Sequence, residues 1–261
     1  MKIDNDKYYT DPKISKYCID KTFEIIGKEN INSIIEPSAG NGSFSNQLDC
    51  IAYDIIPDAD NIIKQDFLKL EINYEKDRLI IGNPPFGTKM NLAQKFFKKA
   101  VSLGDYIAFI LPISQLNNSN TLFEFDLIYS EDLGITNFSD RELHCVFNIY
   151  KRPENGLHNK PSNILEDIKI MRESTKGYSD FEFDLRMCYW GNGSAGKILS
   201  NSDRKYAGEY KIKIYNEKLK EEIIKVLSNA EWKKELNYIA MLRIKQFDVI
   251  NILKKYIPQI K

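Results

Sequence analysis

Histidine is nearly absent from this chain of 261 residues: only His144 and His158 occur. Its four cysteines, Cys18, Cys50, Cys145 and Cys188, are scattered and form no CxxC pair. These two scarcities argue against a structural zinc site and against a disulfide framework, and they predict reduced thiols. Long apolar runs are missing too. The longest, Tyr106 to Ile113, is far too short to span a bilayer. Charged and polar residues follow Met1 with no apolar stretch behind them, so the expectation is no signal peptide and a cytoplasmic protein. What is present is ordinary for a globular protein: 43% hydrophobic and 28% charged residues. The length suits one large α/β domain, or a core domain with a small appendage.

A net charge of zero conceals an asymmetry. Residues 1–185 hold 21 Lys+Arg and 29 Asp+Glu, whereas residues 186–261 hold 16 and 8. A basic C-terminal segment on an acidic body fits a segment that meets a polyanion, although lysine-rich helices also simply solubilise a small subdomain.

Periodicity predicts alternating helices and strands. Asp11-Pro12 reads as a capped helix start, and Ile14, Cys18, Phe23, Ile25 and Ile26 give an apolar face to about Lys28. Short buried strands follow at Ser33–Ile35, Ile51–Tyr53, Ile62–Ile63, Leu79–Ile81 and Tyr106–Leu111, with a helix over Asn91–Leu103 and further strands at Leu127–Tyr129 and Cys145–Tyr150. Such alternation implies a parallel sheet with helices on both faces. Ligands bind such sheets at the C-terminal ends of the strands. There stand Glu36, Asp54, Asp66 and Asn83. After Tyr150 the alternation stops. Lys151 to Gly156 reads as a loop, and alternating strands near Phe181–Met187 and Tyr210–Ile214 precede short helices from Asn216. The expected domains are therefore 1–154 and a smaller α+β unit over 155–261.

Glu36-Pro37-Ser38-Ala39-Gly40-Asn41-Gly42 follows a strand and is expected to precede a helix. Glycines there let the backbone approach a ligand. Asp54 ends the next strand 14 residues after Gly40, where a carboxylate commonly accepts from both hydroxyls of a ribose. The third strand ends at Asp66-Phe67, where an acid can accept from an adenine amino group. The alternative is a structural turn with capping acids. The loop is not GxGxxG and leaves no evident pyrophosphate cradle, which favours S-adenosylmethionine over NAD. At Asn83-Pro84-Pro85-Phe86 two prolines stiffen the chain, remove two donors and leave their carbonyls as acceptors. With the Asn83 side chain they make a rigid double acceptor suited to an exocyclic NH2, and Phe86 offers a flat face for a heterocycle.

In motif order, residues 7 to 152 resemble an N6-adenine DNA methyltransferase of the gamma class. Tyr8-Tyr9-Thr10-Asp11-Pro12 is similar to that class's N-terminal cofactor motif, Glu36 to Gly42 to its methionine-binding loop, and Asn83 to Phe86 to its catalytic tetrad. The resemblance implies a Rossmann-like class I methyltransferase sheet followed by a small α+β recognition domain. It implies S-adenosylmethionine contacts from Tyr9, Thr10, Glu36, Pro37, Ser38, Gly40, Gly42, Asp54, Ile55, Asp66, Phe67 and Asn83. Catalysis is assigned to Asn83, Pro84, Pro85 and Phe86, with no metal. His144-Cys145-Val146-Phe147 resembles the late motif carrying a base-stacking aromatic, which would be Phe147. A flipped adenine in double-stranded DNA is the implied substrate. A restriction endonuclease of the same system is the implied partner. No Pro-Cys dipeptide occurs, so a cytosine-C5 nucleophile is lacking.

Gly191 to Lys197 fits GxxxxGK, but Ile198 stands where a phosphate loop needs Ser or Thr. ATP hydrolysis is not expected. The turn is read either as a plain strand connection or as a DNA contact. In the second case its backbone N–H groups and Lys197 meet phosphates, with Arg186, Tyr189 and Trp190 nearby. Rival functions are methylation of adenine in structured RNA, methylation of a protein glutamine, and an inactive methyltransferase-fold subunit that binds nucleic acid.

Overall fold

Asp11 caps the first helix, α1 (Pro12–Ile26), by accepting from the Lys13 N–H at 2.7 Å, and Pro12 occupies the first turn. The helix buries Cys18, Ile19, Thr22 and Ile26, spaced for one face, and ends where the Gly27 N–H returns to the Phe23 carbonyl. The computed structural model describes residues 9–138, 141–161, 164–172, 181–191, 193–203, 206, 208–236 and 243–261. Tyr8 of the N-terminal motif lies outside them. The chain divides into two compact units, residues 1–161 and 162–261. At that boundary the charge asymmetry is −5 against +5, smaller than the split at residue 185.

In the first unit β1 (Ser33–Glu36), β2 (Ile51–Asp54), β3 (Ile63–Lys64), β4 (Arg78–Gly82), β5 (Tyr106–Pro112), β6 (Asp126–Phe138) and β7 (Arg141–Lys151) form one sheet. Its order is β3-β2-β1-β4-β5-β7-β6. The first five strands are parallel, whereas β7 runs antiparallel to both β5 and β6. The sheet is thus mixed rather than purely parallel, because β6 and β7 form a hairpin that needs no crossover helix. The 3-2-1-4-5 order is that of doubly wound folds. With the antiparallel strand inserted, it is the Rossmann-like class I methyltransferase sheet.

Strand alternation assigns side chains to two layers. Leu79, Ile81, Ala108, Ile110, Cys145, Phe147 and Ile149 pack with Cys18, Ile19 and Ile26 of α1. Ile80, Ile107, Phe109, Leu111, Val146 and Tyr150 face α2 (Asn91–Val101), whose Ala93, Phe96, Phe97 and Ala100 are buried. Among the described residues each face therefore carries one α-helix. The helix expected after the glycine loop does not form. Only eight residues separate Gly42 from Ile51, and turns occupy them, with the Asn46 N–H bonded to the Gly42 carbonyl at 2.9 Å. Phe44 from this turn packs into the α1 layer instead.

The second unit is a four-stranded antiparallel sheet, β10-β9-β11-β8, of β8 (Ile168–Arg172), β9 (Leu185–Cys188), β10 (Ile198–Leu199) and β11 (Glu209–Ile214). Its core joins Met187, Tyr210, Ile212 and Ile214 to Ile223, Leu227, Trp232, Val249 and Leu253 from α3 (Lys220–Asn229), α4 (Trp232–Glu235) and α5 (Gln246–Tyr256). Among the described residues no helix is long and apolar enough to cross a membrane.

Candidate active site

β1 lies between β2 and β4 and is parallel to both, so Glu36, Asp54 and Asn83 emerge at one edge of the sheet. The glycine loop is pinned to its neighbours there. The Gly40 N–H donates to Asp54 Oδ2 at 2.7 Å and the Ala39 N–H to the Tyr53 carbonyl at 3.0 Å. Gly40 adopts φ of 57°, and an added Cβ would press on the Tyr9 ring at 3.3 Å. The position therefore requires both the glycine conformation and the missing side chain. The Tyr9 hydroxyl donates to Asp58, whose own N–H reaches the Gly40 carbonyl at 2.9 Å.

Asp54 also accepts from the Ile56 N–H at 2.8 Å through Oδ1. Each carboxylate oxygen thus holds one backbone N–H and keeps capacity for another donor. Ile55, the residue between, exposes 56% of its surface, an apolar face beside the acid. Asp66 caps its own 3-10 turn through the Leu68 N–H at 3.0 Å, and Gln65 ties the segment to the Asp54 carbonyl at 2.9 Å. Phe67 corrects the expectation. Its side chain is buried and stacks on Phe96 with ring centres 5.4 Å apart, so the ring belongs to the α2 layer and is not open to a ligand.

Glu36 is buried and accepts from the Ser45 N–H at 2.8 Å, so its carboxylate organises the turn behind the loop. Burial pushes its carboxyl up to about 7 from the ordinary 4.5, and the hydrogen bonds from Ser45 and Phe44 offset this only in part. Between those values the folded chain binds a proton that the unfolded chain has lost. The stabilisation is complete below pH 4.5 and disappears as pH rises through about 7, an effect of about 3 kcal/mol. Urea unfolding of Glu36→Gln should lose that slope between about pH 5 and about pH 8. A variant that keeps the wild-type slope would assign it to another group.

The tetrad is held from three sides. Ser38 Oγ donates to the Asn83 carbonyl at 3.1 Å, and Asn83 Nδ2 donates to Thr10 Oγ1 at 3.2 Å. Thr10 is itself buried, its carbonyl accepting from Ser43 Oγ at 2.6 Å. Pro37 approaches Gly82 closely: a Cβ there would lie 3.4 Å from Pro37 Cδ. The Phe86 carbonyl receives the N–H groups of Leu92 and Ala93, both at 3.3 Å, which ties the tetrad to the start of α2. Between them Lys89 and Met90 take left-handed conformations, φ 54° and 64°. Such residues cost roughly 1–2 kcal/mol each, and they cluster where a backbone is forced around a site. Among the described residues no donor reaches Asn83 Oδ1 or the Pro84 carbonyl. Pro84 is buried, while Asn83, Pro85 and Phe86 are half-buried.

Three further expectations change. Phe147 is fully buried in β7 between Ile110 and Glu131 in register, within the α1 layer, so no face of it is open to a base. Arg186 is buried in β9 and pairs with Glu209 at 2.9 Å and 3.1 Å, donating also to the Ser200 carbonyl at 2.6 Å. Its charge is consumed inside the fold. The N–H groups of Ser194, Ala195, Gly196 and Lys197 all bond to carbonyls of their own unit, so the turn offers no amide cradle there. Trp190 is half exposed and Lys197 exposed, as a surface contact requires.

Sequence reasoning did not find Asp58, Ser43 or Gln47. Gln47 Nε2 donates to Ser15 Oγ at 2.9 Å and to the Ser43 carbonyl at 2.8 Å, knitting the turn to α1. Nothing local marks these residues, since their partners lie up to 49 positions away. Among the described residues no group of three or more His, Cys, Asp or Glu side chains converges as metal ligands would.

No protein-family model matches the sequence, and no curated protein is similar to it. Solved structures share part of the fold. One, a protein of Pyrococcus horikoshii assigned as an RNA methyltransferase, is 12% identical over 56% of this chain and 86% of its own, with a TM-score of 0.45. A Listeria monocytogenes protein assigned as a class I S-adenosylmethionine-dependent methyltransferase is 14% identical over 61% and 65%, TM-score 0.44. The 23S rRNA methyltransferase ErmE is 14% identical over 58% and 72%, TM-score 0.41. Likenesses of this size carry no weight for substrate or activity.

Proposed function

We propose that the protein is an S-adenosylmethionine-dependent methyltransferase acting on N6 of a flipped adenine in DNA. The observation that carries this reading is the pair of unpartnered acceptors, Asn83 Oδ1 and the Pro84 carbonyl, held at the sheet edge beside the glycine loop. Two acceptors on a rigid turn match the two protons of an exocyclic amine. The residues fit the cofactor: Asp54 retains capacity for ribose hydroxyls, Ile55 presents an apolar face, and the Gly40–Tyr9 contact leaves the loop without a side chain. S-adenosylmethionine, when bound, supplies a methyl group on a sulfonium.

The chain's own groups then act on the amine. Its nitrogen is a weak nucleophile because the lone pair is delocalised into the ring. Asn83 Oδ1 and the Pro84 carbonyl would hold its protons, favour a pyramidal nitrogen and stabilise the positive charge that grows there as the carbon–nitrogen bond forms and the carbon–sulfur bond breaks to leave a neutral thioether, one amine proton then passing to solvent. Phe86, half-buried, supplies the stacking face that the buried Phe147 does not offer. The C-terminal unit, through Trp190 and Lys197, meets the duplex, and a restriction endonuclease of the same system is the proposed partner.

Transfer of tritium from labelled cofactor to duplex DNA, set against structured RNA and a glutamine-bearing protein, tests this reading. Label confined to RNA or protein would overturn the substrate, and no label anywhere would leave a nucleic-acid-binding subunit. Thr10→Val gives a finer test, since it removes the acceptor that orients the Asn83 amide. Turnover should fall about 3- to 10-fold, the worth of one hydrogen bond of about 0.5–1.5 kcal/mol, with cofactor affinity unchanged and Thr10→Ser restoring the rate. Weaker cofactor binding at an unchanged rate would place the hydroxyl against the cofactor, as the sequence motif implies.

A further inference from the structure

Residues of the turn that ends at Lys197 and the start of α4 border an open cavity of about 470 Å³ in the C-terminal unit. Lys197, Glu231, Trp232, Lys233 and Lys234 line it. Glu231 is matched by Lys234, with which it forms an ion pair. The side-chain ammonium groups of Lys197 and Lys233 make no ion pair or hydrogen bond among the described residues. Asp203 lies near enough to Lys197 to be held low partly by it, but that carboxylate is already committed to the Ser200 N–H at 2.7 Å and Ser200 Oγ at 3.0 Å. Two lysines without an ion pair of their own therefore line one cavity, an arrangement that favours an anion.

The indole of Trp232 adds a second observation. Its Nε1–H is buried and has no acceptor, although buried donors are nearly always satisfied. The turn lies directly on this ring: a Cβ at Gly196 would come within 2.1 Å of Trp232 Cδ1, so the position admits only glycine. Since the turn's amides from Ser194 to Lys197 are internally bonded, an anion here is held by side chains rather than by a backbone cradle. Ile198 provides no hydroxyl for magnesium.

We propose that this cavity binds a phosphate ester, that Lys197 and Lys233 hold it against the Trp232 wall, and that its source is a nucleic-acid strand. The proposal rests on the nucleic-acid reading above, and a free nucleotide carries the same chemistry. The chain has two tryptophans, so Trp190→Phe leaves Trp232 as the sole indole emitter. The full-length Trp190→Phe protein is titrated in EDTA with a labelled oligothymidylate and with thymidine monophosphate. Neither contains adenine, so the outcome does not depend on methyl transfer, which the tritium experiment judges separately.

Strand anisotropy should report saturable, salt-dependent binding, with a matching change in Trp232 emission. Lys197→Ala and Lys233→Ala should each reduce the slope of log affinity against log salt by about 0.7. Lys16→Ala, which removes a charge paired with Asp20 on α1, should leave it unchanged. A monophosphate that binds as tightly as the strand keeps the phosphate site but overturns nucleic acid as its source. Strand binding that leaves Trp232 emission unmoved, or a Lys197→Ala/Lys233→Ala double variant that binds like wild type, overturns the site.

Discussion

Asn83→Ala is expected to lower methyl transfer to adenine by about 10²–10³, the usual cost of one preorganised contact to a developing charge. Cofactor affinity should change little, because the hydrogen bonds that hold the glycine loop run through Gly40, Asp54 and Tyr9 and not through the Asn83 side chain. The Pro84 carbonyl survives in the variant but cannot hold two protons. Asn83 Nδ2 also anchors to Thr10, so Asn83→Asp is the companion variant: it keeps the shape, loses the donor and adds a charge. Phe86→Ala should differ in kind, weakening capture of the flipped base as well as turnover. A 2-aminopurine at the target position, brighter when unstacked, separates the two. Asn83→Ala should retain flipping with little methylation, and Phe86→Ala should perturb both. Wild-type methylation by Asn83→Ala would remove the tetrad from the active site and end this reading.

Arg186→Ala should destabilise the C-terminal unit by about 3–5 kcal/mol, the cost of stranding one partner of a buried ion pair. Glu209 is fully buried, and it would lose the bonds from Arg186 Nε and Nη2 while the Ser200 carbonyl lost its donor. Both tryptophans, Trp190 and Trp232, belong to this unit, so their fluorescence follows its urea unfolding apart from that of the first unit. Adding Glu209→Gln should recover part of the loss, because no buried charge then remains unpaired. The folded fraction of Arg186→Ala should bind DNA as wild type does. Weakened DNA binding with unchanged stability would return Arg186 to the role its position in the basic segment suggests.

The strands, α1, α2 and the edge bearing Glu36, Asp54 and Asn83 were legible because their signals are local. Short apolar runs ending in a polar residue can be read from neighbouring positions, and so can Asp11-Pro12 as a helix start. The rigid Asn-Pro-Pro-Phe turn is equally local, since proline restricts its own φ wherever it stands. Phe67, Phe147 and Arg186 went the other way. An aromatic beside an acid, an aromatic in a late motif and an arginine in a basic segment look alike whether open or buried. Phe96, the α1 layer and Glu209, each remote in sequence, decide between the two.

The absent helix after Gly42 shows the same division. Glycines and serines announce a turn, but only the eight-residue span and the packing of Phe44 beneath α1 determine that nothing longer fits. Sequence alone determined the strand alternation, the acids at the strand ends and the double acceptor at Asn83-Pro84, because each depends on the chemistry of adjacent residues. Tertiary structure decided which side chains remain available to a ligand. A hydrogen bond such as that from Asn83 to Thr10, 73 positions away, decides which way an amide with one donor end and one acceptor end is turned, and burial removes a side chain from solvent whatever its type.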